Sequence, residues 1–323
     1  MYRRLLVTAV ISTGLIAAPA AQADVLKQLY APLHVHPPLA PSPAFIKSHF
    51  PTISIHPQMA KKGYTAANVG FYTKGTRSQK STYPDSYYLR TASGKRIKDR
   101  SRGNYFVMNP ASSGWRKEVA KACAPVPDWC FVDAMGEDGY SRVTAKPKMS
   151  LAQWNAALID MAKWLEAAGN YRVMANNLIS ARNATFAVGY EMFARVPAER
   201  SLQVLKNTDC YCFVKLGTPE RARYGFSLFL SGANSRDRVS VGTDSQPGKW
   251  WPFFKKGAKL GNALGAATVS GGLITRQFEH GTVIVNPGTS EKRLALAKGQ
   301  SRMPVSAAAA VKVGPRDGAI ILR

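Results

Sequence analysis

Two acidic residues stand at the ends of apolar segments in this chain, and that setting points to chemistry. Asp133 ends the apolar run 129–132, and an acidic loop with two glycines follows it at 134–139. Glu191 is the only acidic residue in the apolar, aromatic segment 184–193. A carboxylate in such surroundings is costly to desolvate unless it is paired or used. We therefore predict that Asp133 and Glu191 face each other across one active site.

A pair of carboxylates across a cleft can cleave a glycosidic bond. One protonates the leaving oxygen, while the other attacks the anomeric carbon or activates a water molecule. Glu191 has aromatic and Met neighbours, a setting that suits a proton donor, whereas Asp133 precedes a turn of small residues whose backbone donors would keep it ionised. We assign Asp133 as nucleophile or base and Glu191 as proton donor, with Glu137 and Asp138 in reserve. A structural ion pair with Arg or Lys is the alternative.

Short strand patterns alternate with helix patterns along most of the chain and would position these two residues. The predicted strands are 53–56, 68–73, 104–110, 129–133, 171–177, the segment 184–193 that contains Glu191, 210–216 and 238–241. The clearest helix has Ser150 as its N-cap and ends at Gly169. Eight such alternations predict an α/β fold, a (β/α)₈ TIM barrel. Hairpin patterns after Gly265 predict a small C-terminal β appendage.

The ends of the chain predict further regions around this barrel. A basic start, an apolar run and a small-x-small motif predict a signal peptide over 1–23, with cleavage near Ala23, and hence a secreted or periplasmic protein. No later run is apolar enough to span a membrane. The remaining predicted regions are a Pro-rich lead-in at 24–50, the catalytic barrel at 51–264 and the β-domain at 265–323.

The reacting groups of such barrels lie at the carboxyl ends of the strands, where the loops form a cleft. Besides the two carboxylates, the predicted substrate-binding residues at or near these ends are Tyr72, Asn109, Asp138, Tyr140, Asn176, Lys215 and Trp250. The aromatic members offer flat faces for sugar rings, and core packing is an equal alternative for Trp250. Asn176 suits a substrate hydroxyl, and Lys215 suits an anionic substituent.

The cysteines predict a disulfide. There are four, and an oxidising compartment would allow two bonds. We favour Cys123 with Cys130, because they flank a short Pro-containing turn. We disfavour Cys210 with Cys212, because a bridge between residues i and i+2 on one face of a strand would be strained. A metal site is the competing interpretation, but no His lies at ligand spacing near these cysteines.

The formal net charge of +25 is strongly positive. It suggests anionic surroundings such as an acidic polysaccharide, with a solubilising coat as the alternative. The basic residues are scattered from Lys47 to Arg323 without a nucleic-acid motif, so we expect no specific nucleic-acid partner. His34 and His36 form a His-x-His pair, and incidental histidines in a Pro-rich arm are favoured over a metal site there. We expect a monomer without metal or other cofactor.

Three motifs around the carboxylates carry a family resemblance. Val-Asp-x-x-Gly-x-Asp-Gly-Tyr lies at 132–140, Val-Met-Ala-Asn-Asn at 173–177 and Phe-Ala-Val-x-Tyr-Glu-x-Phe at 186–193. In this order they resemble TIM-barrel glycoside hydrolases of the polygalactosaminidase type and related hypothetical glycosidase families. The segment 276–287 is similar to the small β-domain that follows the barrel in some of them. The resemblance implies a catalytic Asp on strand four and Glu on strand six, which correspond to Asp133 and Glu191.

The sequence departs from those families near its first predicted strand. Relatives often carry an acidic residue where this chain has Ser54 and His56. Together with the basic composition, this leaves the substrate open between an anionic and an amino-sugar polymer. The leading prediction is a glycoside hydrolase cleaving a bacterial polysaccharide. The alternative is a carbohydrate-binding protein on the same scaffold without turnover, because a fold does not guarantee activity. No Gly-x-Ser-x-Gly or His-Glu-x-x-His motif supports a hydrolase of other bonds.

Overall fold

The computed structural model describes residues 25–34, 37–124, 128–181, 184–191, 193–215, 217–242, 248–295 and 310–323. The predicted signal peptide at 1–23 and His36 lie outside these residues. The strands are β1 (Tyr30–Pro32), β2 (Thr52–Ile55), β3 (Asn68–Lys74), β4 (Arg77–Ser78), β5 (Phe106–Val107), β6 (Trp129–Asp133), β7 (Arg172–Asn176), β8 (Ala187–Tyr190), β9 (Cys210–Val214), β10 (Arg238–Val241), β11 (Thr268–Ser270), β12 (Leu273–Phe278), β13 (Gly281–Asn286), β14 (Lys292–Ala295), β15 (Ala310–Val313) and β16 (Asp317–Leu322).

The α-helices pack around the strands. They are α1 (Pro43–His49), α2 (Pro57–Ala60), α3 (Ser113–Cys123), α4 (Asp138–Ser141), α5 (Leu151–Gly169), α6 (Ala198–Asn207), α7 (Pro219–Gly232) and α8 (Pro252–Gly257). Ser150 caps α5 through a reciprocal pair of hydrogen bonds with Gln153, as its position before an apolar helix pattern predicts. Among the described residues, no helix combines the length and the apolarity needed to cross a membrane.

Eight parallel strands form a nearly closed barrel. Their order is β1-β2-β3-β6-β7-β8-β9-β10, and every neighbouring pair is parallel. A parallel bridge between Leu29 and Val239 joins the first strand to the last. The predicted TIM barrel is confirmed by this pairing.

The predicted C-terminal β appendage is also confirmed. It consists of the antiparallel sheet β11-β12-β13-β16 and the hairpin β14-β15. The appendage packs on α7, where Arg223 Nη2 lies 2.5 Å from Asp317 Oδ2.

The structure corrects two of the predicted strands. The first barrel strand, β1, lies inside the segment 24–50 that we predicted as an extended lead-in, because its three residues pair with β2 and are buried despite the prolines around them. The predicted strand at 104–110 is not part of the barrel. Its residues 106–107 pair antiparallel with β4 in a separate two-stranded sheet. The two errors cancel in the count, so β6 and β8 are the fourth and sixth barrel strands.

The helices also depart from strict alternation. The connection from β7 to β8 contains no helix among its described residues. A short connection suffices there because residue 177, just after β7, already hydrogen-bonds through its N–H to Gly189 O of β8, at 2.6 Å.

Both cysteine pairs form disulfides. The predicted bond between Cys123 and Cys130 joins the end of α3 to β6 and is confirmed. The prediction against a bond between Cys210 and Cys212 was wrong. Their Cα atoms lie 5.4 Å apart on β9, within the range that a disulfide spans.

Aromatic side chains fill the barrel interior. Three strands contribute the inward-facing rings: Tyr30 comes from β1, Trp129 and Phe131 from β6, and Phe213 from β9. The Tyr30 ring contacts the rings of Trp129 and Phe213 directly. Gly70 makes room for this packing, since a Cβ atom there would lie 2.3 Å from the Trp129 ring. The barrel is therefore a packed core, and a ligand must bind above it, at the carboxyl ends of the strands.

Candidate active site

Asp133 lies at the carboxyl end of β6 and accepts three hydrogen bonds. Asn176 Nδ2 lies 2.8 Å and the Ala134 backbone nitrogen 2.7 Å from its Oδ1 atom, and the Tyr72 hydroxyl donates to its Oδ2 atom at 2.6 Å. Ala134 has a φ of 58°, a left-handed conformation that a residue with a Cβ atom rarely adopts. Such backbone strain is typical of functional sites, and here it accompanies an N–H group that points back at the carboxylate.

These contacts determine the charge state of Asp133. Burial raises the pKa of the Asp133 carboxyl, but the hydrogen bonds from Tyr72, Asn176 and the Ala134 N–H favour the ionised form. The hydrogen bonds together outweigh the effect of burial, so the pKa of Asp133 lies below its usual value. An ionised carboxylate is the form that a nucleophile or a general base requires.

Glu191 follows β8 directly and points its carboxyl group at the same place. Asn176 Nδ2 lies 2.8 Å from its Oε1 atom, and Lys215 Nζ lies 3.3 Å from its Oε2 atom. The Glu191 backbone N–H donates to Asn177 Oδ1, which holds the start of the turn. The apolar setting that we predicted for this carboxyl group was wrong. Glu191 lies one residue beyond the buried strand, so its side chain turns out of the apolar segment and is 35% exposed.

Asn176 joins the two carboxylates. An amide nitrogen has two N–H groups, and here one is directed at Asp133 and the other at Glu191. The glycine at position 189 leaves room for this amide, because a Cβ atom there would lie only 2.6 Å from Asn176 Oδ1. We predicted Asn176 as a partner for a substrate hydroxyl. The structure shows it buried at the end of β7, organising the pair.

A buried group that the sequence analysis set aside supports Tyr72. The His34 ring stacks on the Tyr72 ring with 4.4 Å between centroids, and its Nδ1 atom lies 2.6 Å from Ser54 Oγ. Burial lowers the pKa of His34 to about 3, so this imidazole is neutral. Position 34 had been assigned to a Pro-rich arm, and only the pairing of β1 with β2 brings it under the site.

Lys74 is a second residue that the sequence analysis missed. It is paired in register with Asp133, and its Nζ atom lies 2.5 Å from the Tyr105 hydroxyl. The alternation of side chains along β3 could have revealed it, since Lys74 follows Tyr72 by two residues and shares its face. A cation therefore borders the cleft on the Asp133 side as well.

The structure brings some predicted site residues together and separates others. Tyr72, Asn176 and Lys215 contact the carboxylates directly. Asn109 does not, because its segment is outside the barrel. Its Oδ1 atom accepts from the Ala111 N–H in a turn, and it borders a different cavity with Arg116 and Asp160.

Two aromatic residues predicted to bind sugar have packing roles in the structure. The Tyr140 hydroxyl donates to Met149 O, and its ring packs against Trp154. The Trp250 ring contacts His49 and Phe254 on the helical wall, which favours the packing alternative given for it. Asp138 begins α4, and its side chain lies outside the described part of the structure. The described residues contain no group of three or more His, Cys, Asp or Glu placed to hold a metal ion.

Removing the Tyr72 hydroxyl tests whether its hydrogen bond lowers the pKa of Asp133. In Tyr72→Phe the ring remains on His34, but Asp133 loses a hydrogen bond that favours its ionised form, so its pKa rises. The acidic limb of the pH profile of kcat/KM should therefore move to higher pH, and kcat should fall about tenfold. Tyr64→Phe, which removes a hydroxyl bonded to Pro41 O, is the control. An unchanged acidic limb in Tyr72→Phe would show that Asp133 does not set it.

The comparisons with known proteins add a likeness in architecture. No family model and no curated protein matches this sequence. Among solved structures, the glycoside hydrolase domain of PelA from Pseudomonas aeruginosa is 15% identical with a TM-score of 0.44, over 68% of this chain and 94% of that domain. Ega3 from Aspergillus fumigatus, in complex with galactosamine, is 13% identical with a TM-score of 0.45, over 72% of this chain and 98% of the other.

A third similar structure is the maltogenic alpha-amylase AmyB from Thermotoga neapolitana. It is 12% identical with a TM-score of 0.42, over 82% of this chain and 79% of the other. The first of these structures is described as a glycoside hydrolase domain and the third as an amylase.

Proposed function

We propose that this protein is a glycoside hydrolase that cleaves a polysaccharide with Asp133 as nucleophile and Glu191 as proton donor. One observation carries the proposal. A single buried amide nitrogen, Asn176 Nδ2, binds both carboxylates above a packed barrel, and a structural role would not require two acids to converge there. The ion pair of Glu191 with Lys215 is the feature that a purely structural interpretation would emphasise. That ion pair does not explain the position of Asp133. Among the described residues, the hydrogen-bond partners of Asp133 include no cation.

The separation of the carboxylates favours retention of the anomeric configuration. Asp133 Oδ1 and Glu191 Oε1 each lie 2.8 Å from the same nitrogen, so these two oxygens cannot be farther apart than twice that distance. Carboxyl groups are about 5–5.5 Å apart in retaining glycosidases and about 6.5–9.5 Å apart in inverting ones. The inverting enzymes must accommodate a water molecule between the anomeric carbon and the general base. The shorter separation suits direct attack by Asp133.

The reaction then has two steps. Asp133 attacks the anomeric carbon, the glycosidic C–O bond breaks, and the proton of Glu191 passes to the leaving oxygen. In the second step Glu191 takes a proton from water, whose oxygen displaces Asp133 from the same carbon. Tyr72 and Ala134 hold the nucleophile in place throughout, through hydrogen bonds to different oxygens.

The proposed setting is outside the cytoplasm. The signal peptide predicted at 1–23, the two disulfides and the net charge of +25 support a secreted or periplasmic enzyme acting on a bacterial polysaccharide. The substrate is an anionic or an amino-sugar polymer. The catalytic unit takes in β1 and so begins before residue 51.

The test is product formation with its stereochemistry. Purified protein should release new reducing ends from at least one member of a panel of bacterial polysaccharides, and proton NMR of the first-formed product should show the anomer of the substrate. The inverted anomer would overturn the proposed role of Asp133 as nucleophile. Binding of a glycan without any product would instead indicate the carbohydrate-binding alternative.

A further inference from the structure

A cavity of about 400 Å³ adjoins the proposed active site. Residues 194, 195, 215, 217, 221 and 224 line it together with residue 316 of the appendage. Its charged and hydroxyl-bearing lining side chains are Arg195, Lys215, Arg221, Arg316 and Tyr224. Every charged side chain among the described lining residues is cationic. This concentration of charge is local, and differs from the scattered basic residues of the sequence as a whole.

Lys215 connects this cavity to the catalytic pair. Its ammonium group lies 3.3 Å from Glu191 Oε2, and Lys215 is also one of the residues that line the cavity. Arg195 Nη2 donates to the Lys215 carbonyl oxygen at 2.8 Å, which holds two segments of the wall together. A group bound in the cavity would therefore be next to the proton donor, within one sugar residue of the bond that is cleaved.

Two acidic residues of the neighbouring elements, Asp317 and Glu220, are engaged in other contacts. Asp317 binds the guanidinium of Arg223, with Nη2 2.5 Å from Oδ2. Glu220, at the start of α7, is held by a hydrogen bond with the Thr218 side chain. No carboxylate is among the described residues that line the cavity, where Arg221 and Arg316 lie. The cavity therefore favours an anion.

We propose that this cavity is a subsite for an anionic sugar, and that it binds a carboxylate or a sulfate ester on the residue adjacent to the scissile bond. The inference rests on the proposed glycosidase function and names its substrate class. Guanidinium groups match the planar geometry of carboxylates and bind them through paired hydrogen bonds. The volume lies in the range of ligand pockets, about 300–1,000 Å³, and at its lower end, as a single sugar residue requires. Of the two polymers left open by the sequence, the cavity selects the anionic one.

The test compares charged sugars with their neutral counterparts. The probes are uronic-acid oligosaccharides with their carboxyl-reduced forms, and sulfated oligosaccharides with their desulfated forms. Binding is measured calorimetrically on Asp133→Asn, which cannot turn the probes over, and the substitutions Arg221→Gln and Arg316→Gln are added to it one at a time. Both arginines are exposed, so these changes leave the core intact. Arg293→Gln is the matched control, because its side chain is 66% exposed on β14.

We expect at least one charged probe to bind better than its neutral form, and each arginine change to reduce that preference about tenfold, the size of one charge-assisted hydrogen bond. Arg293→Gln should retain the preference. Whether the uronic-acid or the sulfated pair shows the effect identifies the anionic group. Equal binding of charged and neutral forms in every pair would overturn the subsite. A preference that depends on the arginines in a protein that cleaves nothing would refute the glycosidase and leave the subsite standing.

Discussion

Asp133→Asn is expected to lower kcat/KM by about 10⁴-fold or more, because the substitution removes the oxygen that forms the covalent bond to the sugar in the proposed mechanism. Asn is nearly the same size, so the barrel should be unaffected. The loss should appear on every substrate, including those with good leaving groups, since the attack step itself is impaired. The measurement is steady-state hydrolysis with circular dichroism as the check on folding.

A smaller side chain separates the nucleophile from a residue that merely orients it. Asp133→Gly leaves space beside the anomeric carbon, and added azide should restore turnover and give a glycosyl azide of inverted configuration. Asp160→Asn, on the exposed face of α5, is the matched control and should retain full activity. Activity in Asp133→Asn above a tenth of wild type, or no azide product from Asp133→Gly, would show that Asp133 is not the nucleophile.

Glu191→Gln is expected to have an effect that depends on the leaving group. Protonation of the leaving oxygen contributes about 10²–10⁴-fold to such reactions. The substitution should therefore cost that much on a polysaccharide, whose alkoxide leaves poorly. It should cost far less in the first step on a 4-nitrophenyl glycoside, which needs no proton to leave.

The control for Glu191 is Glu118→Gln, a change at a partly exposed carboxylate of α3 paired with Lys121. It should leave both substrates unaffected. An equal loss in Glu191→Gln on the polysaccharide and on the aryl glycoside would assign Glu191 to binding and leave the proton donor unidentified. Full activity on both would remove it from the site.

The sequence predicted the barrel well where strands are long, apolar and bounded by turns. It failed at β1, which is three residues long and surrounded by prolines, and at 104–110, where an apolar run pairs outside the barrel. In both cases the local pattern was a weak guide because pairing with a distant strand decides whether a short apolar run is buried. It also failed for Cys210 and Cys212, whose Cα spacing on β9 could not be read from their separation in sequence.

The candidate site was likewise predictable only in part. Asp133 and Glu191 were identifiable because a lone carboxylate at the end of an apolar segment is costly to desolvate. The residues next to it in the sequence already show that setting. His34 was not, because nothing near it in sequence indicates that it lies under Tyr72. Asn176 was recognised as a polar residue at a strand end, but the sequence did not show that its amide binds both acids.

The sequence by itself determined the class of fold, the two acids and the basic composition, since each depends on the order or number of residue types along the chain. Only the tertiary structure decided that one amide nitrogen binds both acids, and that Lys215, Arg221 and Arg316 converge on one cavity beside them. Such convergence depends on strand register and on where the appendage packs. Those are set by the sum of many small packing energies over the whole barrel, which no local pattern contains.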